Sequence, residues 1–145
     1  MGRNLERGDM TTRIIDVRSA TLLPDITHEQ SAFDNIQWMG VLKSMSAYQM
    51  YRREMRLRIN RADVLKFLLL ESHFPRSLLH TLEQVKDQLQ ELPQHERAIA
   101  PIDVLQSKLL EAKPQSLKQE RLHEFIDEMQ LGLIKIAEQI SDTYF

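Results

Sequence analysis

The chain has 145 residues, 42% hydrophobic and 28% charged, with four Gly, five Pro, no Cys and a net charge of −2, a length that suits one domain with a buried core. The missing cysteines exclude a disulfide framework, a Cys-ligated zinc site and a thiol nucleophile, and the scattered Gly2, Gly8, Gly40 and Gly132 exclude a Walker loop and a G-x-G-x-x-G dinucleotide turn. The longest apolar run, Phe67-Leu68-Leu69-Leu70, falls far short of the roughly 20 residues of a membrane span. The charged N-terminus shows no signal-peptide core, and the net charge exerts no global pull on nucleic acid or anionic membrane. A soluble cytoplasmic protein is expected.

Helical periodicity dominates, and no run alternates with a period of two. The expected fold is all-α, a single helical bundle of about five to seven helices over residues 1–145, with a long C-terminal helix. The first helix is predicted over residues 2–22, stopped by Pro24, with Met10, Ile14, Val17 and Thr21 on its core face. A second helical segment places Trp38, Val41, Met45 and Tyr48 on one face, with Met39 and Leu42 beside them, and is predicted to continue through Tyr51 to Met55. Asn60 offers an N-cap, with Asp63 in the first turn of a short helix carrying Val64, Leu65, Phe67, Leu68 and Leu69. Because it is apolar on nearly every side, that helix should be the most buried, and Phe74-Pro75 should break it. A fourth helix presents Leu78, Leu82, Val85, Leu89 and Leu92 and ends at Pro93, and a shorter one spans residues 102–112. In the last helix, Ser116 and Gln119 form a capping-box pattern ahead of a seam of Leu122, Ile126, Met129, Leu133, Ile136 and Ile140. Met10, Met39, Met45, Met50, Met55 and Met129 read as packing residues.

On the first helix, the Met10 and Ile14 stripe continues backward to Arg7 and Arg3, with Glu6 and Arg13 at its flanks, at about 100° per residue. Charges in a stripe expected to face the core must find a carboxylate, stay hydrated in a cavity, or meet a partner chain, because burying an unpaired charge is costly. Two readings follow. One is a structural ion-pair network in which Glu6 and Arg7 bridge to other helices. The other is a polar site inside the bundle that binds an anionic or peptide ligand through Arg7 and Arg3.

Other chemistry-bearing residues are sparse. Glu120 and His123 have the Glu-x-x-His spacing of di-iron bundles, but no second copy exists, so both are expected beside the seam in solvent and no metal is expected. Arg52, Arg53, Arg56, Arg58 and Arg61 form a basic cluster interleaved with Tyr48, Tyr51 and Met55. It reads either as a phosphate-binding patch or as a solvated face whose Arg stems cover apolar surface. Arg76 follows Pro75 at a helix start, where backbone N–H groups favour anions. Paired with Arg7, it is a second candidate ligand contact, or else it ties down its loop. No catalytic constellation stands out, and no cofactor is implied.

The segment Gly2-Arg3-Asn4-Leu5-Glu6-Arg7-Gly8-Asp9-Met10-Thr11-Thr12-Arg13-Ile14-Ile15-Asp16-Val17 resembles the E-R motif helix of the bacterial alpha-E domain family. Trp38-Met39-Gly40-Val41-Leu42-Lys43-Ser44, Tyr48-Gln49-Met50-Tyr51-Arg52-Arg53 and Val64-Leu65-Lys66-Phe67-Leu68-Leu69-Leu70 follow in the family's order. So do Phe74-Pro75-Arg76-Ser77, Leu122-His123-Glu124-Phe125 and Tyr144-Phe145. Two departures stand out. Gly8 replaces a usual Ala, at a cost of about 1 kcal/mol in helix propensity. The chain also resembles the C-terminal half of a family domain that is typically longer and carries a second E-R helix.

The resemblance implies an all-helical domain without an established reaction, encoded beside a circularly permuted ATP-grasp protein and a transglutaminase-like protein. The function expected on that basis is a non-catalytic interaction protein, accessory to an ATP-grasp peptide ligation or modification system. The rivals are a small enzyme or ligand-binding protein using a polar interior around Glu6, Arg7 and Arg13, and nucleic-acid binding through residues 52–61. Apolar surface left uncovered in a half-domain predicts a homodimer, with the E-R helix at or near its interface.

Overall fold

A computed structural model describes the backbone of residues 1–21, 28–55 and 58–145, and the side chains of residues 1–19, 35–55 and 58–145. Pro24, Arg56 and the burial of Thr21 lie outside the described residues. Seven α-helices and no strand occur among the described residues: α1 (Gly2–Thr21), α2 (His28–Ser44), α3 (Tyr48–Met55), α4 (Arg61–Leu70), α5 (Leu78–Gln90), α6 (His95–Ala112) and α7 (Gln119–Tyr144). The expected all-α bundle with a long C-terminal helix is the fold observed.

Helices α1, α5, α6 and α7 form a closed ring, each packing on the next, while α2, α3 and α4 gather beside it. All six seam residues of α7 are buried, joined by Phe125. Val64, Leu65, Phe67, Leu68 and Leu69 make α4 the most enclosed helix. Asn60 Oδ1 accepts from the Asp63 backbone N–H at 2.9 Å, the expected cap. Phe67 bridges two aromatic neighbours, edge-on to Tyr51 at 5.4 Å and stacked on Phe74 at 4.9 Å.

Several boundaries differ from the sequence-based expectation. The predicted second segment is two helices. Ser46 adopts a left-handed φ of 54°, and Ala47 N–H reaches back to Leu42 O at 2.8 Å while Ser46 N–H bonds Lys43 O at 3.1 Å. That is the Schellman termination, with Ser where Gly is usual. Helix α4 stops at Leu70, ahead of Phe74-Pro75. Helix α6 begins at His95 and runs through Pro101. Burial of Ala98 and Ile99 offsets the lost hydrogen bond. The capping box does not form either. Ser116 Oγ donates to Lys113 O at 2.8 Å within a 3-10 turn, and α7 starts after Lys118 without a side-chain cap.

The largest difference is the orientation of α1. Its buried face is Gly8, Thr11, Thr12, Ile15 and Ser19, whereas Met10 and Val17 are 63% and 64% exposed. Small residues allow close approach on two sides: a Cβ on Gly8 would lie 2.9 Å from Thr81 Cγ2 of α5. The buried hydroxyls bond largely to carbonyls of their own helix, Thr12 to Asp9 O at 2.7 Å and Ser19 to Asp16 O at 3.2 Å, so burying them leaves no orphan donor. Toward α7 the same face forms an antiparallel polar ladder. Gln130 Nε2 donates to Thr12 Oγ1 and Gln119 Nε2 to Ser19 Oγ, each at 3.4 Å.

Candidate functional site

The stripe through Arg3, Arg7, Met10 and Val17 exists, but it points away from the bundle. Arg3, Glu6, Arg7 and Arg13 are all exposed, which corrects the expectation of a polar site inside the core. The physical reason is that the opposite face is smaller and packs closer. Arg13 is engaged locally, its Nε 2.7 Å from Asp9 Oδ2 one turn earlier, an exposed pair of the kind that contributes little. Among the described residues, the Arg3, Glu6 and Arg7 side chains form no hydrogen bond or ion pair, so the expected bridges from Glu6 and Arg7 to other helices are not formed there either.

Arg7 instead meets Arg76. The Phe74-Pro75-Arg76-Ser77 turn is stiffened from within: Ser77 Oγ donates to Glu71 O at 2.6 Å and accepts from His80 N–H at 3.1 Å, capping α5. Arg76 Nη1 donates to Met45 O at 2.6 Å, fastening this turn to the end of α2. Thr11 Oγ1 lies 2.9 Å from Arg7 O and 2.7 Å from Arg76 O, so one hydroxyl proton is shared between the two arginine carbonyls. Arg76 therefore ties its loop down and also lines a surface cleft. One cleft of about 220 Å³ runs between Arg7, Met10, Ile14, Met45 and Arg76. A second, of about 300 Å³, lies against Met50, Phe74 and Pro75 and shares Arg7, Met45 and Arg76 with the first.

The basic cluster divides. Arg61 is half-buried, donates from Nη2 to Leu117 O at 2.6 Å, and is lowered from the usual guanidinium pKa by that burial. Arg52 lies over the Tyr48 ring, 5.8 Å from its centre, and Arg53 pairs with Glu54 at 3.6 Å. Tyr51 is enclosed and donates to Arg58 O at 3.1 Å. Burial, and secondarily the charge of Asp63, push its phenol up to about 12.

One constellation was missed by sequence reasoning. His123 Nδ1 is 2.6 Å from Asp16 Oδ1, and its Nε2 is 3.5 Å from Asp127 Oδ2. The hydrogen bond and charge of Asp16, then the charge of Asp127, hold the imidazole above its ordinary pKa. Donor atoms of the three residues lie within 4.8 Å of one another, a spacing a cation could span. Both ring nitrogens already face carboxylates, so the arrangement acts as an ion pair joining α1 to α7. Only the antiparallel register of those helices makes it visible. Glu120 lies exposed beside His123, as expected.

These features define an all-helical bundle domain whose first helix turns a Glu-Arg pair outward. A family profile named Alpha-E, described as a predicted alpha-helical domain with a conserved ER motif, matches residues 1–145. The chain belongs to the Alpha-E family. No curated protein and no solved structure matches it. No helix among the described residues is long and apolar enough to cross a membrane.

Proposed function

We propose that this chain is a non-catalytic helical interaction protein of the cytoplasm, accessory to an ATP-grasp-type peptide ligation or peptide-modification system. Its partners in this reading are a circularly permuted ATP-grasp protein and a transglutaminase-like protein, and it pairs with a second copy of itself. The carrying observation is the outward face of α1. Glu6, Arg7, Met10 and Val17 are exposed there together, on a helix whose opposite face is already packed. Apolar side chains grouped with unpaired charges on one helix favour a docking surface over a solvated one. The reading also takes the chain as equivalent to the C-terminal half of the family domain, with this face covered by a partner or a second copy.

The test is recovery of bound proteins from the native host with the tagged chain, beside light scattering of the purified chain. Recovery of an ATP-grasp or transglutaminase-like protein supports the reading, and its loss on replacing Met10 and Val17 by Lys places the contact on α1. Recovery of neither protein overturns the partnership. A fully helical monomer at working concentration overturns the dimer, and turnover of ATP or a peptide by the chain alone overturns the non-catalytic assignment.

A further inference from the structure

The two clefts flanking Arg7 and Arg76 are lined mainly by methionine, isoleucine, phenylalanine and proline, with Thr11, Ser44 and Ser46 beside them and the two arginines on their shared wall. No aspartate or glutamate lines either cleft, although acidic residues outnumber basic ones in the chain, 21 to 19. Arg7 forms no ion pair or hydrogen bond through its side chain among the described residues. Arg76 uses Nη1 on Met45 O, leaving its other N–H donors for a ligand. At about 220 and 300 Å³, the clefts sit at or below the small end of ligand pockets, roughly 300–1,000 Å³. Each is therefore sized for one side chain and not for a cofactor.

We propose that this surface binds a peptide segment in which a carboxylate lies between two apolar side chains. The carboxylate sits on Arg7 and Arg76, and the apolar side chains enter the clefts on either side. The charge pattern favours this occupant: with no acid in the lining of either cleft, the two arginines attract a carboxylate and form charge-assisted hydrogen bonds to it, while the apolar side chains of the lining favour a ligand with aliphatic or aromatic side chains. The backbones of both arginines meet at the Thr11 hydroxyl, which holds their main chains side by side before the ligand arrives. The proposal deepens the interaction-protein reading and rests on it only in treating this face as a docking surface.

The probe is the capped peptide acetyl-Leu-Glu-Leu-amide, titrated into the isotope-labelled full chain and followed by amide NMR shifts. Saturable shifts confined to residues 7–14, 44–50 and 74–77 are expected. Loss of a charge-assisted bond should weaken binding about tenfold, both for acetyl-Leu-Gln-Leu-amide and for the Arg7→Met variant. Arg7→Met breaks no bond of the fold, so its melting temperature should match the parent. Arg76→Lys keeps charge but loses the planar fork, and should weaken binding less than Arg7→Met. Arg97→Met, on the exposed side of α6, should bind as the parent does. Equal affinity for the Glu and Gln peptides, absence of saturable shifts, or shifts centred elsewhere would overturn the proposal. So would inorganic phosphate reproducing the same shifts with equal affinity, since the apolar clefts would then play no part. Peptide binding without recovery of the ATP-grasp or transglutaminase-like protein would keep the cleft and reject those partners. Recovery of a partner without peptide binding would do the reverse.

Discussion

Gly132 lies where α7 crosses α6, and replacing it by Ala tests whether that crossing is as close as its geometry indicates. A Cβ there would lie 2.9 Å from Leu105 Cδ2 and 3.2 Å from Leu105 Cγ, and closer still to Cδ1. Leu105 is only 4% exposed, so its side chain must turn into packed neighbours to make room. Forcing extra volume into a packed core costs about 1–3 kcal/mol. Against this, Ala is favoured over Gly in a helix interior by about 1 kcal/mol. Because three atoms of one buried side chain must move, the upper part of the packing range applies, and Gly132→Ala should lose about 1–2 kcal/mol. The Leu105→Ala background sharpens the test. That change alone should cost about 2–5 kcal/mol, but it also removes every atom in the clash. Gly132→Ala should then stabilise by about 1 kcal/mol, so its sign inverts between backgrounds. Urea unfolding followed by circular dichroism on the four proteins measures the cycle. A gain in stability from Gly132→Ala in the native background, or the same change in both backgrounds, would refute the reasoning.

Three further outcomes are expected. The hydrogen bond and charge of Asp16, then the charge of Asp127, raise the His123 pKa above its ordinary value, so its contribution to stability should be complete below the unfolded imidazole value, about 6.5, and be lost as pH rises through its higher folded value. An NMR titration of His123 should show the raised value, and His123→Gln should flatten that part of the stability profile; a slope of opposite sign would contradict the pairing. Tyr51, pushed up to about 12, should lose its contribution as pH rises from the unfolded phenol value, near 10, toward the folded one, and Tyr51→Phe should remove that alkaline slope. Thr81 Oγ1 is buried without a hydrogen-bond partner, so Thr81→Val should leave the packing intact and raise stability by roughly 1 kcal/mol in urea unfolding; a loss would mean that the hydroxyl is satisfied.

What could be read from sequence was what local chemistry decides. The Asn60 cap and the α7 seam depend on residues within a few turns of one another, and an all-apolar helix such as α4 has only one place to go. The end of α2 was not readable because Ser46 takes a left-handed conformation that sequence rules assign first to Gly or Asn. Helix α1 failed for a more instructive reason. It carries two stripes at helical spacing, one through Arg7, Met10, Ile14 and Val17 and the other through Gly8, Thr11, Thr12, Ile15 and Ser19. The first carries the larger apolar side chains, but burial follows the second, because helices between two neighbours gain more from close approach than from bulk when their hydroxyls can bond to their own carbonyls. The same inversion explains why the candidate site was only half legible. Arg7 and Arg76 could be named as charged residues without local partners, yet they are 69 positions apart in the chain. Their meeting depends on Thr11, a residue whose hydroxyl looks like surface chemistry until α1 is turned the other way. Once it is turned, the arginines, Met10 and Ile14 cease to be a misplaced core stripe and become one wall of a surface cleft.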